Sequence, residues 1–142
     1  MQMGTMDTSS APEQNASPTE RPPVLVVDDD PELRQSLRWT FEDEGWAVET
    51  AANGEEAVTH ASHRVPALVV LDVGLPDRAG PLVATQLRER CGNDLPLLVI
   101  TADGHAPEKA AQVGAFAYLH KPFDLDHLVA LVHRRLDLPD EG

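Results

Sequence analysis

The sequence predicts an α/β fold, with five parallel strands in one doubly wound sheet and helices packed on both of its faces. Short apolar runs, rich in β-branched residues, alternate with segments of helical periodicity, and parallel strands need helical crossovers of this kind. The run from Ala67 to Pro76 (ALVVLDVGLP) is the clearest strand: five apolar residues end on Asp72, and Gly74 then breaks the pattern. Ligands of such folds bind at the carboxyl ends of the strands, so Asp72 is well placed for chemistry, although an aspartate also commonly marks the end of a strand.

Length and charge narrow the class of protein. The 142 residues fit one domain with a substantial core, and 24 acidic against 11 basic residues give a net charge of -13. This charge argues against a nucleic acid or an anionic membrane surface as the partner, and it favours protein partners and a bound cation. The single cysteine, Cys91, cannot form an internal disulfide, and no stretch is long and apolar enough for a transmembrane helix or a signal peptide. We therefore expect a cytoplasmic protein.

Residues 1–22 have the composition of a disordered leader. Ser, Thr, Pro, Gln and Asn predominate there, and large apolar residues are nearly absent. We predict one folded domain over residues 23–138 and a short tail at residues 139–142.

The first strand and helix have strong local signals. Val24 to Val27 (VLVV) is a buried strand that ends in three successive acids. The third acid, Asp30, is a typical N-cap, and Pro31 suits the first position of a helix that should stop at Gly45.

Turn-forming residues also mark the boundaries of the next two strand–helix pairs. Trp46 to Ala51 (WAVETA) alternates apolar and polar residues, which is typical of a half-buried strand at a sheet edge. Asn53 and Gly54 end this strand and precede a short helix. After the third strand, Gly80 and Pro81 begin the third helix.

The last two units complete the alternation. Leu95 to Ile100 (LPLLVI) is a fourth apolar strand, and a short helix should run from Pro107 to about Val113. Phe116 to Leu119 forms the fifth strand, and Asp124 caps the final helix.

Side chains suited to chemistry follow four of the five predicted strands, and the carboxyl ends of parallel strands share one edge of the sheet. They are Asp28, Asp29, Asp72, Thr101 and Lys121. Three carboxylates in one crevice repel one another unless a cation compensates them, and Mg²⁺ prefers oxygen ligands. An ammonium and a hydroxyl suit a phosphoryl group, and an aspartate that attacks phosphorus forms a labile acyl phosphate. Each signal is weak alone, but together they favour Asp72 as a nucleophile for phosphoryl transfer.

Four segments, VLVVDDDP, LDVGLP, VITA and YLHKPF, each lie at the end of a predicted strand. On the basis of these four segments, residues 23–136 resemble the receiver domain of two-component response regulators. The resemblance implies a flavodoxin-like (βα)5 fold and phosphorylation by a sensor histidine kinase or a phosphotransfer protein. Such a domain assists its own phosphorylation and dephosphorylation but is not a substrate-turnover enzyme. Because the chain ends just after the fifth predicted helix, we expect a stand-alone receiver that acts on a downstream protein target, and a phosphorylation-dependent homodimer stays open.

The resemblance implies that Asp72 accepts the phosphoryl group and also helps to hold Mg²⁺ or Mn²⁺. Asp29 would ligate the metal directly and Asp28 largely through water. Gly74 would contribute its backbone carbonyl.

The resemblance implies that three further residues contact the phosphoryl group. Lys121 should contact the acceptor carboxylate and then the phosphoryl oxygens, while Thr101 and the backbone amide of Ala102 should bind the phosphoryl group. Tyr118 takes the place of an aromatic switch residue that turns inward when the threonine hydroxyl moves, although an exposed edge tyrosine alone would explain it. The bond before Pro122 should be cis.

Some positions depart from the common pattern of the family. Gly74 and Asp103 lie two residues after Asp72 and Thr101. In the family, the residues at these two positions set the lifetime of the phosphoryl group, and the sequence does not predict that lifetime here. The span between Thr101 and Tyr118 is about two residues shorter than in the commonest members of the family. This predicts a fourth helix that is shortened by about half a turn. His105 and His120 flank the site, and as isolated histidines we expect them to be solvated.

Two other functions compete with a phosphorylation switch. A receiver fold can serve as a docking module that does not depend on phosphorylation, but the acidic residues, threonine and lysine argue against this. Asp28 and Asp30 have the spacing of a haloacid-dehalogenase-type phosphohydrolase, but Glu32 departs from that motif and no cap domain is present.

Overall fold

The computed structural model describes residues 21–137. The predicted leader and tail fall almost entirely on residues 1–20 and 138–142, which lie outside the described residues. Within residues 21–137, no helix is both long and apolar enough to cross a membrane.

Five parallel strands form one sheet in the order β2-β1-β3-β4-β5. The strands are β1 (Val24–Val27), β2 (Val48–Ala51), β3 (Leu68–Asp72), β4 (Leu97–Thr101) and β5 (Ala117–His120). This order reverses direction between β1 and β3, which creates a crevice at the carboxyl ends of these two strands. The predicted fold class and the edge position of the second strand are confirmed.

Within the described range, residues 21–137, five helices connect and follow the strands. They are α1 (Pro31–Asp43), α2 (Gly54–His63), α3 (Gly80–Cys91), α4 (Ala106–Val113) and α5 (Leu125–Asp137). Asp30 caps α1 by accepting from the Glu32 amide at 3.0 Å, and Gly114 ends α4 in the left-handed region at a φ of 66°. The predicted cap of the first helix is therefore confirmed.

The sheet separates two apolar cores. On one face, α1 and α5 pack on alternate strand residues, and the core there includes Val24, Val26, Leu37, Phe41, Ile100, Leu128 and Val132. On the other face, α2, α3 and α4 cover the remaining strand residues, and the core includes Leu25, Val27, Val69, Leu71, Val83, Leu87 and Val113. The near-continuous apolar runs of β1, β3 and β4 follow from burial on both faces.

The second and fourth strands begin two residues later than their sequence patterns predict, and the fifth begins one residue later, at Ala117 rather than Phe116. Trp46 lies before β2 because its amide donates to the Phe41 carbonyl at 3.2 Å, and its ring packs edge-on against Phe41. Leu95 lies before β4 because its amide donates to Gly92 in a turn, and Pro96 has no amide to donate to a ladder.

Candidate functional site

The switch in strand order places two carboxylates side by side. Val27 of β1 pairs with Leu71 of β3, so Asp28 follows β1 next to Asp72 at the end of β3. Asp29 completes the group, and each of the three residues offers an oxygen within 4.8 Å of the others. Asp28 and Asp72 are buried, whereas Asp29 is exposed.

Lys121, directly after β5, places its ammonium between the two buried carboxylates. Its Nζ lies 2.7 Å from Asp28 Oδ2 and donates to Asp72 Oδ2 at 3.1 Å. Burial works to lower the pKa of Lys121, but contacts with Asp28 and the charges of both carboxylates outweigh it and raise the pKa. Lys121 is therefore a fixed positive charge at neutral pH. The bond between Lys121 and Pro122 is cis, as predicted.

Asp28 is fully buried at the centre of this group. Burial raises its pKa, partly opposed by the Lys121 contact and by the Asp30 amide, which donates to Asp28 Oδ1 at 2.9 Å. Its Oδ2 makes the ion pair with Lys121 but no hydrogen bond of regular geometry within the described part of the chain. A buried anionic oxygen of this kind stabilises a cation beside it.

The Asp72 carboxylate is held from two sides. The Gly74 amide donates to Asp72 Oδ1 at 2.8 Å, while Lys121 occupies Oδ2. A Cβ at Gly74 would lie 3.4 Å from the same Oδ1, so the loop backbone runs directly past the carboxylate. The all-oxygen set of Asp28, Asp29 and Asp72 fits a hard divalent cation, and Gly74 brings backbone groups to the same place.

Thr101 and Ala102 lie on the opposite side of Asp72 from β1, since β3 pairs with β4. Thr101 is 2% exposed, and its Oγ1 accepts from the Asp103 amide at 3.3 Å. Its carbonyl accepts from the Lys121 amide at 2.8 Å, which ties the two strand ends together. Ala102 is exposed at the rim beside Lys121.

Tyr118 and the two flanking histidines are at the surface of the structure. Tyr118 is 46% exposed on the edge strand β5, where it pairs with Val99. His120 is exposed and pairs with Thr101 in the same ladder. His105 is exposed before α4, with its Nδ1 3.8 Å from Asp103.

An open groove of about 520 Å³ borders the site. It is lined by Asp30, Leu33, Ser36, Ala102, Lys121, Pro122, Phe123 and Leu125. Leu33 of α1, Pro122 and Phe123 after β5, and Leu125 at the start of α5 supply most of its apolar lining.

Two features of the site were not predicted from the sequence. Lys121 was expected at the Asp72 carboxylate, but it contacts Asp28 at an even shorter distance. Asp77, in the loop after β3, binds the start of α2 through Gly54. Neither contact has a local sequence signal, because its partners are far apart in the chain.

The chain is similar in sequence to known proteins of one family. A family model described as "Response regulator receiver domain" matches residues 24–133. "Response regulator MprA" from Mycobacterium sp. (strain KMS) is 44% identical over 123 residues, which cover 84% of this chain and 53% of that protein. The protein of the same name from Mycobacterium leprae (strain TN) is 42% identical over 123 residues, covering 84% of this chain and 54% of the relative. The chain thus spans about half the length of these curated relatives.

Two solved structures of response regulators are also similar to this chain. The non-phosphorylated HemR receiver domain from Leptospira biflexa is 31% identical and superposes with a TM-score of 0.76, covering 86% of this chain and 99% of that chain. The chemotaxis response regulator CheY4 of Vibrio cholerae is 33% identical with a TM-score of 0.72, covering 80% of this chain and 97% of that chain.

Proposed function

The chain belongs to the family of response regulator receiver domains, and from this membership we propose that it is a phosphorylation switch with Asp72 as the acceptor. The donor is the phosphohistidine of a sensor histidine kinase or of a phosphotransfer protein. An oxygen of Asp72 forms a bond to phosphorus while the phosphorus–nitrogen bond of the donor breaks. The electron pair of that bond stays on the donor imidazole, which takes up a proton.

The position of Lys121 is the main support for this proposal. Its ammonium lies within 3.1 Å of the Asp72 carboxylate and is held by Asp28 at 2.7 Å. An ammonium fixed beside the acceptor stabilises the charge on the oxygens of the transferring group without rearrangement during the reaction. Asp28 holds the lysine from the buried side.

We assign a divalent cation, Mg²⁺ or Mn²⁺, to the three carboxylates at this edge. Asp28 and Asp72 supply buried oxygens, Asp29 supplies an exposed one, and the Gly74 carbonyl is the proposed backbone ligand. When bound, the cation offsets the repulsion between the acceptor carboxylate and the incoming phosphoryl group. Burial raises the pKa of Asp28 even beside the Lys121 ammonium, so a second cation would further stabilise its ionised form.

Thr101 and Tyr118 are the proposed switch. The Thr101 Oγ1 accepts a long, 3.3 Å hydrogen bond from the Asp103 amide, and its O–H can donate to a charged phosphoryl oxygen. Movement of this hydroxyl toward Asp72, with the Ala102 amide as a second donor, would open space beside β4. Tyr118 on the neighbouring strand would then turn from its exposed position into that space, and a target protein would distinguish the two states.

Phosphorylation by a small phosphodonor tests the acceptor. With Mg²⁺ and acetyl phosphate, we expect the wild-type protein to gain the mass of one phosphoryl group, and acid should remove it. Asp72→Asn should gain nothing, whereas Asp94→Asn, a change in an exposed loop, should behave as wild type. An unmodified wild-type protein, or a gain that survives Asp72→Asn, would contradict the proposal.

A comparison of partner binding separates the switch from a docking module. We expect the phosphorylated wild-type chain to bind its target with a different affinity from Asp72→Asn. Equal affinity of both proteins, with or without phosphodonor, would instead indicate a docking module that does not use phosphorylation. A signalling role without substrate turnover and a cytoplasmic location are part of the proposal and stay predictions.

A further inference from the structure

The loop between β3 and α3, residues 73–79, is joined to the start of α2 by the Asp77 carboxylate. Its Oδ1 accepts from the Gly54 amide at 2.8 Å, and its Oδ2 accepts from the Glu55 amide at 3.1 Å. Amides in the first turn of a helix have no partner within the helix, so both are available to a side chain from elsewhere. The hydrogen bond from Gly54 is the main reason that the pKa of Asp77 lies below its ordinary value. Asp77 is therefore ionised, with both oxygens engaged, at neutral pH.

The loop and the first turn of α2 are also closely packed. A Cβ at Gly54 would lie 2.9 Å from Val83 Cγ2 and 3.0 Å from Arg78 Cδ, so the approach requires glycine. Arg78 lies across this junction and donates to Gln86 of α3 at 2.9 Å. The contact between Asp77 and α2 thus belongs to a packed interface between loop and helix.

Asp77 is the N-cap of neither α2 nor α3. The N-cap of α2 is Asn53, whose Oδ1 already accepts from the Glu56 amide at 2.8 Å. The N-cap of α3 is Ala79, which makes no side-chain hydrogen bond, so Asp77 does not serve the helix that follows it. The carboxylate instead connects its own loop to a helix that precedes it in the chain.

The same loop carries the backbone that contacts the acceptor. Gly74 donates its amide to Asp72 Oδ1 at 2.8 Å, and Leu75 anchors the near end of the loop in the core. We propose that Asp77 is a positioning residue that fixes the far end of this loop on α2, and so holds the Gly74 backbone in place for the metal ion and the acceptor carboxylate. This inference rests on the proposed function for its metal, but the contact itself can be tested without metal.

Two substitutions of side chains that bond to the N-terminus of α2 separate positioning from simple capping. Asp77→Ala and Asn53→Ala each remove a side chain that accepts hydrogen bonds from this helix end, but only Asp77→Ala releases the loop. Without metal, hydrogen exchange of the Gly74 amide measures how firmly the loop is held. We expect exchange to speed up about tenfold in Asp77→Ala and to stay within about twofold of wild type in Asn53→Ala.

Metal affinity gives a second readout. Titration with Mn²⁺, followed by electron paramagnetic resonance, should show binding weakened by about tenfold in Asp77→Ala and nearly unchanged in Asn53→Ala. Asp77→Asn keeps one acceptor oxygen but loses the charge, so a partial recovery in this variant would show that geometry rather than charge is responsible. If Asp77→Ala does not fold, the same measurements can be made on Asp77→Asn.

The outcomes distinguish the inference from the function on which it rests. Equal Gly74 exchange in Asp77→Ala and Asn53→Ala would overturn the positioning role, and so would exchange at the wild-type rate in Asp77→Ala. Absence of Mn²⁺ binding by the wild-type protein would contradict the proposed metal site, while the Gly74 exchange rates would still decide the role of Asp77.

Discussion

The Lys121 ammonium lies 2.7 Å from Oδ2 of Asp28, a carboxylate with no solvent exposure. Without this ammonium, Asp28 would lie buried beside Asp72 with no positive charge to compensate either. We expect Lys121→Met to lower the free energy of unfolding at pH 7 by about 2 kcal/mol, as measured by urea unfolding in a chelator. Added Mg²⁺ should restore part of the loss, because it binds only the folded site.

Lys109, the only other lysine of the chain, offers a matched control. It pairs with Asp103 at 3.4 Å at the surface, where ion pairs contribute little. Lys109→Met should therefore unfold at nearly the same urea concentration as wild type. If both variants lost the same stability, the special role assigned to the Lys121 pair would be wrong.

Tyr118 should report the state of Asp72. It is the only tyrosine of the chain, so labelling with fluorotyrosine gives a single fluorine resonance. Because the ring is 46% exposed without phosphate, we expect the resonance to shift when Mg²⁺ and a phosphodonor are added. Asp72→Asn should show no shift. A resonance that is unchanged in the phosphorylated wild-type protein would refute the switch role of Tyr118.

Gly80, at the first position of α3, should tolerate no larger residue. A Cβ there would lie 2.7 Å from the Cβ and Cγ1 of Val73, so the helix start would have to move away from the loop. We expect Gly80→Ala to cost about 2 kcal/mol in urea unfolding. Gly104→Ala is the control, because a Cβ there would meet nothing within 4 Å. Comparable losses in both variants would show that the close approach is not the cause.

Asp103 should make the stability of the fold depend on pH in the acid range. The His105 amide, and then Lys109, lower the pKa of Asp103 below its ordinary value of 3.8. An acid of this kind binds its proton less readily when folded, so its stabilisation is present above pH 3.8 and is lost as the pH falls through the lower folded pKa. The difference in urea midpoint between wild type and Asp103→Asn should therefore be present at pH 6 and shrink as the pH approaches the folded pKa. A difference independent of pH would contradict this assignment.

Local patterns were enough to predict the elements of the fold and the ends of the site-bearing strands. The apolar run before Asp72 and the Asp30-Pro31 cap are complete within a few residues, and each indicates its element without reference to the rest of the chain. Because parallel strands share one edge, knowledge of the strand ends was sufficient to bring the carboxylates, Thr101 and Lys121 together.

Contacts between distant parts of the chain could not be predicted in the same way. The Asp77 carboxylate looks like an ordinary loop acid in the sequence, and only the packing of α2 against the loop shows what it binds. Trp46 fits a strand by its alternation, yet its contacts with Phe41 and His133 keep it outside β2. Tertiary packing decided both cases.

The order in which the ribosome produces the chain gives the placement of Lys121 a further consequence. Asp28 and Asp72 belong to strands made early, whereas the ammonium between them arrives with β5, the last strand of the sheet. A nascent chain that has reached only α4 would carry the acceptor without its counter-charge. The proposed acceptor site is therefore complete only once β5 has been made and has joined the sheet.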